Sequence, residues 1–342
     1  MVCVNSAPAR AVWRANRPGK DDRHERTRNE FVRLVLIFCL LLAVGVLRAA
    51  ETVTHPYLGV TIIARSETSP RPLAMHLALI DLTAPGIRFK LTPPGGTRDT
   101  VRQTTLEFLE QEHAQLAINA HFFVPFPSTN HDANLVGLAA SEGVVYSPFE
   151  PQPVAPGEAD QSFAIVPLAP ALNLDAANRA RIVHRSVWYR DRKHVRERVT
   201  LWNTVSGSAQ IVTDGRKTIP TYTKSANGLN RLHGFSETNS WYAVPRARTV
   251  IGLTQDRRTL VLFTVGGDDQ SKGMTPGEVA DVLIRDYHVH DALNLDGGGS
   301  TTMAFADPET KTNRLLTVSG DNPRGRSVGS SLAVFARPAS PR

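Results

Sequence analysis

Short runs rich in Ile, Val and Leu occupy 57–63, 74–81, 87–91 and 115–119, each bounded by Pro, Gly or Ser clusters. Runs of that length between breakers predict strands. Thr104-Thr-Leu-Glu107 has capping-box spacing, a hydroxyl followed three residues later by an acid, and predicts a short helix carrying the chain to Leu116. The last third is the most regular. Arg248 to Gly252 and Thr259 to Val265 are apolar runs, the second ended by Gly266-Gly-Asp-Asp269. Thr275-Pro-Gly-Glu278 then opens a helix, with Val279, Val282, Leu283 and Tyr287 on one face. An apolar strand from Ala292 to Leu295 leads into Asp296. If the two strands flanking this helix pair in parallel, Gly266 to Asp269 and Asp296 to Ser300 meet at one sheet edge, where ligands bind in β-α-β folds. The expected fold class is α+β, a mixed β-sheet flanked by a few helices.

Two passages interrupt the pattern: proline-rich Ser147 to Gly157 and polar Ile219 to Ser240, both expected as long surface loops. The first 50 residues differ from the rest. An arginine-rich start precedes an uninterrupted apolar run from Leu34 to Leu47, too short for a comfortable membrane span and of the length of a signal-peptide core. Export to the periplasm or medium is expected, with an uncleaved N-terminal anchor, and hence membrane association through Leu34 to Leu47, as the alternative. Residues 51–342 are then expected to form a single domain. Cys3 and Cys39 both lie in the leader, so a cleaved chain has no disulfide to form.

Charge narrows the partners. The formal charge is +7, but residues 1–50 hold nine Lys/Arg against four Asp/Glu, leaving the remainder nearly balanced. Basicity confined to a leader argues against nucleic acid as the ligand.

The chemistry concentrates in Ala292-Leu-Asn-Leu-Asp-Gly-Gly-Gly-Ser-Thr-Thr-Met303. Successive glycines contribute no packing and appear where the backbone takes positive φ or approaches another group. After a buried strand, the expected product is a loop whose Gly297, Gly298 and Gly299 amides converge on an anion or sugar beside Asp296, Ser300 and Thr301. There is no Gly-Lys-Ser/Thr ending of a phosphate-binding nucleotide loop, and Gly298-Gly-Ser-Thr-Thr302 lacks the second glycine of a nucleophile elbow. In Ala117-Ile-Asn-Ala-His-Phe-Phe123, alternation places Asn119 and His121 on one strand face. Arg248 offers a two-pronged phosphate contact, with Arg246 the plainer surface arginine. Arg326, near the last apolar run, offers another cation. Glu142 is expected in a hairpin turn and Glu278 as a helix cap. His288-Val-His290-Asp291 is the one dense set of metal-type ligands, and no metal is assigned there. A divalent cation held by Asp296, Asp268 and backbone oxygens stays open, with no cofactor otherwise expected.

With these residues in place, the chain from about Gln115 to Ala336 resembles the phosphodiester glycosidase family. The most specific stretch is Asn294-Leu-Asp-Gly-Gly-Gly-Ser-Thr-Thr302; Asn119 with Phe122-Phe123, Ser206-Gly207 before Asp214-Gly215, Arg248-Thr-Val-Ile-Gly252, Ser271 to Glu278 and Arg326 to Val334 support it. His121 departs from the family, which usually has a small residue there. The resemblance implies hydrolysis of a sugar-1-phosphodiester to free sugar and a phosphomonoester, on envelope or extracellular glycans. Asp296 would be the carboxylate, as nucleophile or as base for water. Gly297 to Gly299, Ser300, Thr301, Arg248, Asp268 and Arg326 would bind substrate and phosphate, while Asn119 and His121 would orient the sugar or move a proton. A non-catalytic glycan-binding protein, or a phosphodiesterase cutting the P–O bond, are the competing functions.

Overall fold

In the computed structural model the described residues are 50–126, 129–152, 165–220, 241–320 and 322–339. The leader with its Leu34 to Leu47 run, Cys3, Cys39, and most of the two long interrupting passages lie outside them. Residues 49–342 form one compact unit.

The largest element is an eight-stranded sheet. Its order is Ala50–Tyr57, Val60–Glu67, Leu73–Asp81, Thr259–Val265, Arg248–Thr254, Val289–Asn294, Ala209–Thr213 and Arg216–Lys217. The stretch expected as one strand over 57–63 is a hairpin, turning at Leu58 and Gly59 with Gly59 at φ +75°. A five-stranded sheet follows the order Thr312–Val318, Thr302–Asp307, Leu116–Asn119, Ser331–Phe335, Arg88–Leu91. A second runs Val144–Ser147, Ala139–Ser141, Asn203–Ser206, Ala171–Leu174, Ala180–Val183.

Two small sheets, of two and three short strands, and two α-helices complete the described fold, the helices being α1, Thr105–Glu112, and α2, Pro276–Tyr287. Both carry complete capping boxes, from Thr104 with Glu107 and from Thr275 with Glu278, each cap contributing roughly 1 kcal/mol. Helix α1 stops at Glu112, short of Leu116, because His113 takes the left-handed conformation and Leu116 is needed in a strand.

Alternation along the central strands explains the layering. Leu260, Leu262 and Ile251 face a core shared with Leu116, Ile118, Met303 and Leu332 of the first five-stranded sheet and Leu172 and Val205 of the second. Their neighbours Val261, Phe263 and Val250 face the other way, onto Val279, Val282 and Leu283 of α2. A strand buried on both faces reads as a continuous apolar run, hence the unbroken Thr259 to Val265 stretch. Full burial of each such side chain contributes about 1.5–3 kcal/mol. Helix α1 covers the outer face of its sheet through Leu106, Phe108 and Leu109 against Ala117, Ala304 and Ala333.

Two expectations are corrected. The described fold is mostly β, and every ladder in it is antiparallel, so the sheet is not mixed. The strands flanking α2 do not pair with each other: Arg248–Thr254 lies between them, antiparallel to both. That insertion still leaves them running in the same direction, so their carboxyl ends emerge at the same edge.

Candidate active site

Asp296 sits one residue beyond Leu295 at that edge. Its N–H donates to the carbonyl of Ala120 at 3.0 Å, and its own carbonyl accepts from Asn119 Nδ2 at 2.7 Å. Asn119 Oδ1 accepts from Thr249 Oγ1 at 2.8 Å and from the Thr302 N–H at 3.0 Å. One fully buried side chain therefore ties together the start of the glycine loop, its end, and the strand beside it. Asn119 positions the loop, its oxygen committed to Thr249 and Thr302.

The glycines each meet a different constraint. A Cβ on Gly297 would lie 2.8 Å from the carbonyl of Ala247, and one on Gly299 would clash with the Arg326 guanidinium. Gly298 has φ +58° and its N–H donates to the Ala247 carbonyl at 2.9 Å. Gly298–Ser300 is a single 3-10 turn, closed by Ser300 N–H to Gly297 O and Thr301 N–H to Gly298 O. The amides expected to converge on an anion are thus partly spent: Gly298 bonds Ala247, and the Gly297 N–H serves the Asp296 carboxylate.

The Asp296 carboxyl is nearly enclosed, and burial pushes its pKa up to about 7 against the opposing pull of the Ser300 hydroxyl, the Arg326 charge and the Gly297 N–H. Arg326 Nη1 donates to Ser300 Oγ at 3.3 Å, and its guanidinium lies 4.8 Å from the Phe126 ring. Ser300 is buried, as is Thr301, whose Oγ1 has no partner among the described residues. Ser319 Oγ, Asn294 Oδ1 and Arg248 Nη1 are likewise unpartnered there. Buried polar atoms rarely go unpaired, and the hydroxyls of Thr301 and Ser319, whose segments are joined by the Ser319 N–H to Thr301 carbonyl bond, leave hydrogen-bonding capacity unmet beside the loop among the described residues.

Beside the loop opens a cleft of about 390 Å³, walled by Gly298, Gly299, Gly267, Asp268, Ser319 and Gly320, with Arg246, Lys272 and Arg326 supplying charge. Three cations line the cleft against the Asp268 carboxylate, a balance that suits an anion. Asp268 Oδ1 accepts the N–H groups of Gln270 and Ser271 at 2.8 and 2.9 Å, shaping the turn that closes the cleft's far wall.

Arg248 does not line this cleft. Its guanidinium is fully buried, with Nε on the Met274 carbonyl at 2.9 Å, Nη2 on the Trp241 and Val244 carbonyls at 2.6 Å each, and the Trp241 ring 4.5 Å away. Burial lowers its pKa to about 9. The expected phosphate ligand is a bracket for the 241–248 segment, and Arg246, ranked below it from sequence, is the arginine exposed to the cleft. Lys272 was also missed; its place after Gly266-Gly-Asp-Asp269 was the available signal.

His121 is also corrected. Its ring is wholly buried, with Nδ1 2.9 Å from Ser330 Oγ and Nε2 accepting the Ser206 N–H at 2.9 Å. Burial lowers the imidazole pKa to about 4, so it stays neutral and structural. Glu278 caps α2 through Thr275 and pairs with Arg71 at 2.6 Å, and Glu142 occupies the hairpin turn at φ +47°. In the histidine cluster, His288 is the left-handed C-cap of α2, and the grouped ligand atoms are those of Asp214, His290 and Asp291, within 4.8 Å of one another. These three could hold a metal, but they lie at the opposite end of the Val289–Asn294 strand from Asp296.

The family model for phosphodiester glycosidases matches residues 112–335. The zebrafish N-acetylglucosamine-1-phosphodiester alpha-N-acetylglucosaminidase catalytic domain, auto-inhibited by its pro-peptide, superposes with a TM-score of 0.54 at 18% identity, covering 86% of this chain and 91% of that one. A hypothetical protein from Synechocystis gives 0.50 at 16% identity over 82% of this chain and 62% of its own. A candidate exported protein from Burkholderia pseudomallei gives 0.50 at 15% identity over 77% and 74%. At these identities the likeness is one of fold. None of the curated proteins compared with the chain matches it.

Proposed function

We propose, from the premise that the chain belongs to the phosphodiester glycosidase family, that it hydrolyses a sugar-1-phosphodiester at the C1–O bond, releasing free sugar and a phosphomonoester. The observation that carries this reading is the nearly enclosed Asp296 carboxyl under the charge of Arg326, whose guanidinium also lines a cleft with Arg246 and Lys272. A hydrolase of glycosyl phosphates needs a carboxylate at the anomeric carbon and cations on the departing phosphate, and here Arg326 links the two.

Asp296 then acts as base: its carboxylate takes a proton from water as the water oxygen bonds to C1, and the C1–O bond breaks with its electron pair leaving on the phosphate. A carboxyl with a pKa of about 7 is matched to accepting a proton near neutrality. The phosphate leaves as an anion and needs no acid. Arg326 holds it while steadying Ser300, and Arg246 and Lys272 balance its charge. The apolar leader run points to an exported enzyme acting on envelope or extracellular glycan phosphodiesters.

The direct test is to incubate the protein and its Asp296→Asn variant with a panel of sugar-1-phosphodiesters, UDP-N-acetylglucosamine among them, and to measure free sugar. Release by the parent and loss in the variant is the expected result. Glycan binding of equal strength by both, with no release, would favour a binding protein; oxygen-18 from water appearing in the phosphate rather than the sugar would move the cut to the P–O bond.

A further inference from the structure

At the edge of the second five-stranded sheet, the Ala180–Val183 strand extends into a hairpin unlike the rest of the surface. The Ser186 N–H donates to the His194 carbonyl and the Arg196 N–H to the His184 carbonyl, both at 2.8 Å, around a bridge between Arg185 and Val195. At its tip stand Val187, Trp188 and Tyr189, exposed by 76%, 88% and 50%. Three consecutive large apolar side chains in water are costly for a soluble surface, and patches of this kind mark contacts.

The tip is ordered. Tyr189 stacks on His194 at 3.8 Å between ring centroids, His194 Nδ1 lies 3.0 Å from Asp191 Oδ1, and the Phe149 N–H donates to the Arg192 carbonyl at 2.9 Å. Holding the apex this way lowers the ordering cost of any contact it makes. Charge surrounds it: between Arg185 and Arg198 there are six Lys/Arg against two Asp/Glu. Both acids are engaged locally, Asp191 by His194 and Glu197 by His184 and Arg196, while Arg190, Lys193 and Arg198 have no ion pair among the described residues.

We infer that this tip is a membrane-contact element, seating Val187, Trp188 and Tyr189 in the interfacial region of an anionic phospholipid surface while Arg190 and Lys193 meet the headgroup phosphates. Trp and Tyr favour that boundary because one part of each ring system is apolar and the other carries a polar handle. Valine at the apex gains from acyl chains and offers nothing to a sugar ring, which distinguishes this surface from a polysaccharide platform. Among the described residues no helix is long and apolar enough to cross a membrane.

The test uses the full chain and phosphatidylglycerol vesicles doped with brominated phosphatidylcholine, which quenches tryptophan only where lipid and indole touch. The quenching removed by Trp188→Phe belongs to Trp188, whatever the leader contributes. The expected result is such a component with anionic vesicles, absent with phosphatidylcholine alone, and weakened about thirtyfold in apparent affinity by Arg190→Ser with Lys193→Ser at low salt. These side chains are outside the core, so the substitutions leave folding intact. No Trp188 component with anionic vesicles overturns the proposal. A Trp188 emission change with alginate but not with vesicles overturns it in favour of an acidic polysaccharide.

Discussion

Asn119 and Asp296 are joined side chain to backbone, Nδ2 to carbonyl oxygen at 2.7 Å, across 177 positions of sequence. Through that bond the strand at the centre of one sheet sets the start of the loop at the edge of another. Asn119→Ala leaves the Thr302 N–H without its acceptor, in a site closed to water. The expected cost is about 2–3 kcal/mol in urea denaturation, with a larger fall in kcat than change in KM. Unchanged stability would remove the clasp role.

Asp296 is destabilising when ionised. Its folded pKa of about 7 lies above the ordinary 3.8, so the folded state binds the proton more tightly and stability falls as pH rises from about 4 to about 7, then levels. Asp296→Asn is therefore expected to be more stable than the parent at pH 8 by about 2–4 kcal/mol and to lose that gain below pH 4. Calorimetric or urea unfolding at the two pH values checks it.

If Asp296 is the base, kcat/KM rises with pH through about 7 and plateaus above. A base acting on water also gives a first product of opposite anomeric configuration to the substrate. Proton NMR during the first turnovers reads this directly, and retained configuration would make Asp296 a nucleophile instead.

The arginines separate by position. Arg246→Ala and Lys272→Ala are expected to raise KM for a phosphodiester several-fold with folding intact, since both side chains are exposed at the cleft. Arg248→Ala should instead destabilise by about 2–4 kcal/mol, since the Met274, Trp241 and Val244 carbonyls lose the guanidinium N–H groups that join them. Steady-state kinetics beside thermal unfolding distinguishes the two classes.

His121 works oppositely to Asp296 in pH. Its folded pKa of about 4 lies below the ordinary 6.5, so its contribution is whole above 6.5 and is lost as pH falls toward 4. His121→Gln is expected to flatten that acid-side loss, measured by urea midpoints between pH 7 and 4.5, without abolishing turnover.

Much of this was legible from local pattern. The two capping boxes announced both helices because the bonds that form them span three residues, and the apolar runs at 74–81, 87–91 and 259–265 announced strands because side-chain period is a property of the segment. The acid, glycine and hydroxyl run around Asp296 was recognisable for the same reason: glycines follow an apolar strand only where the backbone must turn or approach closely. The length of α1 was less legible, since its end at His113 depends on Leu116 being drawn into a strand.

What the chain determined alone, then, was where segments bend, cap and carry acid. Tertiary structure decided what each polar side chain does, because burial and partners come from strands distant in sequence. Arg246 and Arg248 are two residues apart and chemically identical. One reaches the cleft; the other is sealed beneath Trp241 and the Met274 carbonyl, which no local pattern encodes. Asn119 and His121 likewise became a clasp and a core histidine only when Thr249, Thr302, Ser206 and Ser330 were folded against them.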